Sequence, residues 1–538
     1  MSLLRSTFNF GSMTLVSRIL GFARDVVLAR WFGVSAATDA FFVAFKIPNF
    51  LRRLFAEGSF SLAFVPVLTE YRERGDEAEL RSLIDATAGS LLAVLLIITA
   101  LGMAAAPWVV RLFAPGFINN PEQLLLASDM LRVTFPYLLL IALTALAGGI
   151  LNTLGRFALP ALTPALLNVA MIVAAVAFSR FFSEPVKALA WGVLAAGVLQ
   201  LAVQLPVLAR HGVLPRPRPD FSHPGVRRIM RLMLPTLFGS SVAQINLLFD
   251  VLIASLLISG SLSWLYYADR LMEFPLGLFG VALATVILPS LASLHARGLR
   301  GQFRATLDWA LLLGVVIGLP AAVGLAVLAE PLTVALFHYG AFGLADARMA
   351  SLALMAYCLG LPAFIGVKIL APAFFSRQDT RTPVWIAVIA LVANMVLNVI
   401  FVLALTWQLS GGDFTGGLLA TLAANPGAHV ALALASSASA WLNAGLLWHQ
   451  LGRQQLRPRV AGKRLIQTLL ACLVMALLVQ QLLPPLATLA AAGPLGRAAW
   501  LSLAVGAGAL VYALVLLGLG LRPSHLLRPA TVAEQENR

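Results

Sequence analysis

The sequence predicts an all-α protein that crosses the membrane about fourteen times, and three observations carry that reading. First, 60% of its 538 residues are hydrophobic and only 11% are charged, with a mean hydropathy of +0.89; a soluble domain carries about 25% charged residues, so that class is excluded. Second, apolar runs of about 20 residues, enough to cross ~30 Å of hydrocarbon as a helix, recur along the whole length. These runs lack the period-two alternation of a barrel, and only helices or closed barrels satisfy the backbone in lipid. Third, the connecting loops alternate between Arg-rich and Arg-poor, as the positive-inside rule requires of a multi-pass protein.

In chain order, the first span is expected over 6–31, and its start, MSLLRSTFNFGSMTLVSRIL, lacks the small-residue cleavage site of a removed signal peptide. The second, over 36–68, holds Pro48, which removes a backbone donor and is expected to bend or break the helix there. Spans at 83–111, 123–151, 159–182 and 187–209 complete a first group of six. The Pro- and Arg-rich connection HGVLPRPRPDFSHPGVRRIMR then reads as a hinge, with a short interfacial helix over 224–230. A second group follows at 228–258, 263–294, 304–329, 347–376, 382–408 and 428–450, and a final pair at 465–485 and 496–520. The Arg-rich loops, including Arg72, Arg74, Arg216, Arg218, Arg457 and Arg459, put both termini in the cytoplasm.

An internal repeat supports a division into two lobes. At an offset of about 223 residues, RFALPALTPALLNVA overlays DTRTPVWIAVIALVA, with Pro160 on Pro383, and nearly the same offset brings Lys46 within one residue of Arg270. Six spans per lobe is an even number, so the lobes share an orientation and a pseudo-two-fold along the membrane normal. The expected units are an N-lobe over 1–220, a C-lobe over 221–460 and an added helix pair with its tail over 461–538.

The formal charge of +15 is accounted for by loop topology, and nucleic acid is not an expected partner. Cys358 and Cys472 lie in apolar segments and read as buried thiols without a disulfide.

The functional candidates are charges at membrane depth. An Arg at the centre of a membrane helix costs roughly 2.5–3.5 kcal/mol, so several in two helices point to water or an anionic ligand. Arg18, Arg24, Asp25, Asp39, Lys46, Arg52, Arg53 and Glu57 crowd the stretch from Ser17 to Phe60, with Asn49 beside the proline. Arg18 and Arg24 sit about 9 Å apart along the axis and roughly 120° around it; Asp25, seven residues after Arg18, falls on its face as a compensating charge. Arg52 and Arg53 are ~100° apart, so one can point inward while the other snorkels.

In the second group, SWLYYADRLMEFP gives Trp264, Tyr266 and Tyr267, expected in an interfacial belt. Arg270 is expected to face a cavity, with Glu273 one turn on. Asp250, Asn394 and Asn398 supply oxygens suited to Na⁺, or Asp250 to a proton; interhelical hydrogen bonding is the plainer alternative. Lys368 is expected to be a further lone buried cation, within the tenth span. No Walker loop, nucleophile elbow or HExxH is present, so neither an enzyme nor a cofactor is expected, and work must come from an ion gradient, the membrane potential or the substrate's own gradient.

SRILGFARDVVLARWFG, TDAFFVAFKIPNFLRRLFAEGSFSLAFVP, SWLYYADRLMEFPLGLFGVAL and LAPAFFSRQDTRTP closely resemble the MurJ (MviN) family of bacterial lipid II flippases, within the multidrug/oligosaccharidyl-lipid/polysaccharide exporter superfamily. The resemblance covers residues 1 to about 408 and resumes in the final spans. It implies two six-helix lobes plus an added pair that forms a groove for a lipid tail. It also implies that Arg18, Arg24, Arg52 and Arg270 line a central cavity, with Asp39, Asn49 and Glu57 nearby. The connection SGGDFTGGLLATLAANPGAH is longer than is usual in the family, which leaves the start of the twelfth span open.

The expected activity is translocation of undecaprenyl-diphosphate-linked disaccharide-pentapeptide from the inner to the outer leaflet of the bacterial cytoplasmic membrane by alternating access. Coupling to Na⁺ or H⁺, contact with membrane lipids and association with cell-wall synthesis proteins accompany that expectation. Two rivals are a small-molecule antiporter of the same fold, which would need acids rather than arginines in its cavity, and a non-transporting scaffold for wall synthesis.

Overall fold

The computed structural model describes residues 3–53, 60–414, 416–459, 461–522 and 526, and the side chains of these except 3–15, 62 and 235–243. Every regular element among them is helical. The chain packs as two compact units, Met1–Ser263 and Trp264–Arg538.

The first unit contains α1 (Leu3–Phe32), α2 (Ala36–Arg52), α3 (Ser61–Glu73), α4 (Glu77–Ala104), α5 (Ala106–Phe113), α6 (Pro121–Thr134), α7 (Tyr137–Thr153), α8 (Ala158–Val173), α9 (Lys187–Ala202), α10 (Leu205–Arg210) and α11 (Pro224–Ser255). Local chemistry fixes several starts. The Ser35 hydroxyl caps α2 at Thr38 N (3.2 Å), and Asp76 caps α4 at Ala78 N and Glu79 N (2.9 and 3.0 Å). Asn120 caps α6, where Pro121 occupies the first turn at no hydrogen-bond cost. Phe64, Val67, Leu83, Ile150, Leu208 and Ile229 close a core shared by α3, α4, α7, α10 and α11.

Of the bend or break expected at Pro48, the break is absent: α2 runs through the proline and ends at Arg52. Proline at 48 cannot donate to the carbonyl four residues back, at Ala44. That carbonyl accepts the buried Thr134 hydroxyl from α6 instead, at 2.8 Å, so the helix continues with no orphaned acceptor. The expected interfacial helix over 224–230 is corrected too, since those residues are the first turns of α11.

The second unit holds α12 (Ser261–Pro275, whose first three residues belong to the first unit), α13 (Val281–Ala296), α14 (Arg300–Val327), α15 (Ala329–Phe337), α16 (Leu344–Phe375), α17 (Arg381–Leu409), α18 (Leu418–Ala424), α19 (Val430–Arg453), α20 (Gly462–Leu482), α21 (Leu486–Ala491) and α22 (Pro494–Gly518). A π-helical turn, 276–280, follows Pro275, where the helix loses a donor. Helix α16 lies against α14 and α19, and a Cβ on Gly360 would fall 2.6 Å from Ser437 Oγ, so only glycine allows that approach. The long connection of the sequence contains α18, and α19 begins at Val430.

Eleven helical segments among the described residues are long and apolar enough to cross a membrane, which makes this a multi-pass membrane protein. The expected spans at 6–31, 36–68 and 228–258 are not among the eleven; they fold as α1, α2 with α3, and α11, the helices that carry most of the charged candidates.

Candidate functional site

In the first unit the charged candidates separate by environment. Arg18 lies on an exposed face of α1, whereas Arg24, on the same helix, is 5% exposed. Arg24 donates through Nε and Nη2 to Asp25 Oδ1 (3.0 and 2.7 Å) and through Nη1 to Asn168 Oδ1 (3.0 Å). The Asn168 amide donates in turn to Ser17 O (3.1 Å), so α8 holds both ends of this part of α1. The compensating carboxylate therefore serves Arg24 and not, as its spacing suggested, Arg18. Charge and amide together meet the desolvation that a lone buried guanidinium would suffer.

Lys46, Asn49, Arg52 and Arg53 are half-buried on α2 and at its end. Arg52 Nε donates to Asn49 Oδ1 at 2.8 Å, a contact that the three-residue spacing permits on one helical face. Glu57 lies outside the described residues. Asp39, 2% exposed in the first turn of α2, accepts from Gly260 N (2.6 Å), Ser263 N (2.9 Å) and the Ser263 hydroxyl, all within the first unit. These donors include the otherwise orphaned N–H groups where α12 begins, so the carboxylate acts as a cap supplied from another helix.

In the second unit, Arg270 is half-buried on α12, with Nη1 2.9 Å from Glu273 Oε2 and its guanidinium 5.1 Å from the Tyr266 ring centroid. The neighbouring aromatics are not an outward belt. Trp264, Tyr266 and Tyr267 are buried: Trp264 Nε1 donates to Asp346 Oδ1 (3.0 Å) and its ring meets His429, while Tyr267 packs against Phe337 and Phe342. An internal carboxylate satisfies the indole N–H that would otherwise seek the membrane interface.

Asn394 and Asn398 are buried one turn apart on α17, Asn398 Nδ2 donating to Asn394 Oδ1 (2.8 Å). Asn394 Nδ2 reaches Ser439 Oγ and Ser436 Oγ (3.1 and 3.4 Å), which ties α17 to α19. Asp250 is half-buried on α11 of the other unit; Lys368, expected to be buried, is instead exposed on α16. No three His, Cys, Asp or Glu side chains gather in a metal-holding cluster among the described residues.

Two anchoring residues escaped the sequence reading. Asn168 stands in the apolar run TPALLNVAM, where a lone amide was the available signal. Arg497, 6% exposed on α22, gave none beyond its charge: it donates to the carbonyls of Leu489, Ala490, Ala492, Val334 and His338 and lies 4.7 Å from the Tyr339 ring centroid.

The chain is similar to known membrane transporters. Residues 28–492 match the family model described as Lipid II flippase MurJ. A probable lipid II flippase MurJ of Vibrio cholerae is 45% identical over 97% of both chains. A lipid II flippase MurJ of Burkholderia cenocepacia is 42% identical over 75% of this chain and 79% of that one. Among solved structures, a lipid II flippase MurJ in an inward closed conformation superposes with a TM-score of 0.77 at 26% identity, covering 94% of this chain and 97% of that one. An inward-facing multidrug resistance MATE family transporter of the MOP superfamily, 14% identical with a TM-score of 0.65 over 84% of this chain and 98% of that one, shares the fold.

Proposed function

This chain belongs to the lipid II flippase MurJ family, a family of transporters rather than enzymes, and on that premise we propose that it moves lipid II, the undecaprenyl-diphosphate-linked disaccharide-pentapeptide, from the inner to the outer leaflet of the bacterial cytoplasmic membrane by alternating access. The proposed topology has fourteen spans, lobes over 1–220 and 221–460, an added pair over 461–538, and both termini in the cytoplasm.

One observation carries the reading at residue level. Guanidiniums stand on helices of both units in half-buried positions, beside side chains that orient them: Asn49 for Arg52, and Glu273 and Tyr266 for Arg270. A diphosphate offers paired oxygens that match the planar guanidinium fork and exceeds Asn49 or Glu273 in charge. Arg18, Arg24 and Arg53 extend the cationic set, and Asp39 and Glu57 lie on the same stretch of sequence. A small-molecule antiporter for cationic drugs would need the opposite charge.

Coupling to Na⁺ or H⁺ belongs to the proposal, with Asp250, Asn394 and Asn398 as its candidate groups. The Asn394 amide oxygen accepts from Asn398, and its second lone pair is the one it would offer a cation.

The test is a leaflet-accessibility assay for lipid II in cells depleted of this protein and complemented by Arg52→Ala, Arg270→Ala or the wild type, with and without membrane potential. Translocation lost in both variants at normal protein levels is the expected result. Normal translocation by both would overturn the arginine assignment.

A further inference from the structure

The segment between α10 and α11, rich in proline and arginine, is not a slack tether. In PRPRPD (215–220) every second residue is proline, so the N–H donors come from Arg216, Arg218 and Asp220 alone. All three are directed at α4: Arg216 N donates to Asp85 Oδ1 (2.6 Å), Arg218 N to the Asp85 carbonyl (3.1 Å) and Asp220 N to Ser90 Oγ (3.2 Å). Between these contacts α4 offers Gly89, where a Cβ would lie 2.2 Å from the Arg218 carbonyl carbon and 2.4 Å from the Arg218 and Pro219 nitrogens. The proline alternation, the carboxylate, the missing side chain and the serine thus fit one extended strap onto one helix, while the Arg216 and Arg218 side chains stay exposed.

The second unit repeats the device. Asp308 of α14 stands 223 residues after Asp85, the offset at which the two halves of the sequence overlay. Its Oδ1 accepts from the backbone N–H of Arg459 (2.7 Å), in the connection Leu-Arg-Pro-Arg that leads from α19 towards α20. Each carboxylate sits near the start of the helix expected to be its lobe's third span, and each takes the chain that leaves the expected sixth. A helical aspartate spent on the backbone of a distant linker has no part in binding a headgroup, and its recurrence at the repeat offset argues against chance.

We infer that Asp85 and Asp308 are repeat-related positioning residues: each clamps the linker leaving its lobe, so that the following helix starts from a fixed point on that lobe rather than from a free tether. The inference rests on the flippase reading for its consequence, since rocking is passed to α11 and α20 only if their leading linkers are held. A clamped linker transmits displacement, whereas a free one of the same length absorbs it.

The experiment places a nitroxide at Leu214→Cys, with Cys358 and Cys472 replaced by alanine, and reads spectral mobility in purified full-length protein beside lipid II translocation in depleted cells. Asp85→Ala removes the acceptor, Gly89→Ala puts a methyl group into the backbone of the strap, and Asp85→Asn keeps an amide oxygen where the carboxylate stood. Expected is a mobile label and a several-fold loss of translocation in Asp85→Ala and Gly89→Ala, with both readouts restored towards wild type in Asp85→Asn, and a parallel loss of translocation in Asp308→Ala. An unchanged spectrum in Asp85→Ala would overturn the clamp. A mobile label with undiminished translocation would overturn the positioning role while leaving the flippase reading intact. If the unmutated protein fails to restore translocation, the flippase reading falls, and the spectra still decide whether the strap is held.

Discussion

Arg24 in α1 and Arg497 in α22 are both guanidiniums withdrawn almost wholly from solvent, yet their charges are met by opposite means. Arg24 faces a carboxylate on the adjacent residue and an amide on α8. The described donations of Arg497 all go to main-chain carbonyls, near the C-terminal ends of α15 and α21. Carbonyls at a helix C-terminus carry the negative end of its dipole, and those of Val334 and Leu489 also accept from His338 N and Ala492 N. The described partners of Arg24 are side chains, which a change of rotamer can move aside. Arg497 cannot leave without uncapping two helices. A buried arginine in a membrane helix is therefore a candidate for ligand binding when its partner is an exchangeable side chain, and a staple when its partners are helix ends.

The largest effect should fall on the staple. Several charge-assisted hydrogen bonds, each worth about 1.5–3 kcal/mol, disappear together in Arg497→Leu, and folded protein should be nearly lost. Arg497→Lys should fare little better, because an ammonium on a flexible stem cannot span carbonyls on two helices. A melting temperature for Arg497→Lys equal to the wild type would dissolve the contrast.

Next comes Arg24→Ala, which takes the Arg24 charge from a buried Asp25 at a cost of up to roughly 3–5 kcal/mol and should lower protein abundance. Adding Asp25→Asn removes that buried charge, so the double variant should recover abundance without recovering translocation. Recovery of both would make Arg24 a second staple. Smaller again is Asp39→Ala, which removes the cap on Gly260 and Ser263 for about 1–2 kcal/mol, with Asp39→Asn milder because one amide oxygen persists. Thermal unfolding in detergent ranks the two, and the reverse order would refute the capping role.

How much of this was legible in the sequence follows from the same contrast. Hydropathy and loop charge gave the all-helical membrane class because the bilayer punishes any other backbone. The crowding of charge between Ser17 and Phe60 marked α1 and α2, but helical periodicity could not pair Arg24 with Asp25, since side chains of adjacent residues meet only through their rotamers. Pro48 suggested a break because its consequence depends on Thr134, a residue 86 positions away that supplies the missing donor. The aromatic run at Trp264 suggested a belt because composition cannot show that Asp346 waits for the indole. Arg497 was silent: main-chain carbonyls leave no mark in a sequence.

The smallest expected effect concerns a charge that is neither staple nor ligand site. Glu70, exposed at the end of α3, lies between Arg74 one turn on and Arg228 at the start of α11, 2.6 Å from the latter. Hydrogen bonds from Arg74 and then Arg228 hold its carboxyl below its ordinary 4.5. A depressed carboxylate pKa contributes stability that is present above the ordinary value and lost as pH falls through it towards the folded one. The melting-temperature gap between wild type and Glu70→Gln should therefore be small at about pH 7, shrink further with salt, and shrink progressively as pH falls below the ordinary 4.5. Because both partners are exposed and solvent-screened, the gap must stay well below that of Asp39→Ala. A gap that widened with acid would mean that Glu70 is held by something other than its two arginines.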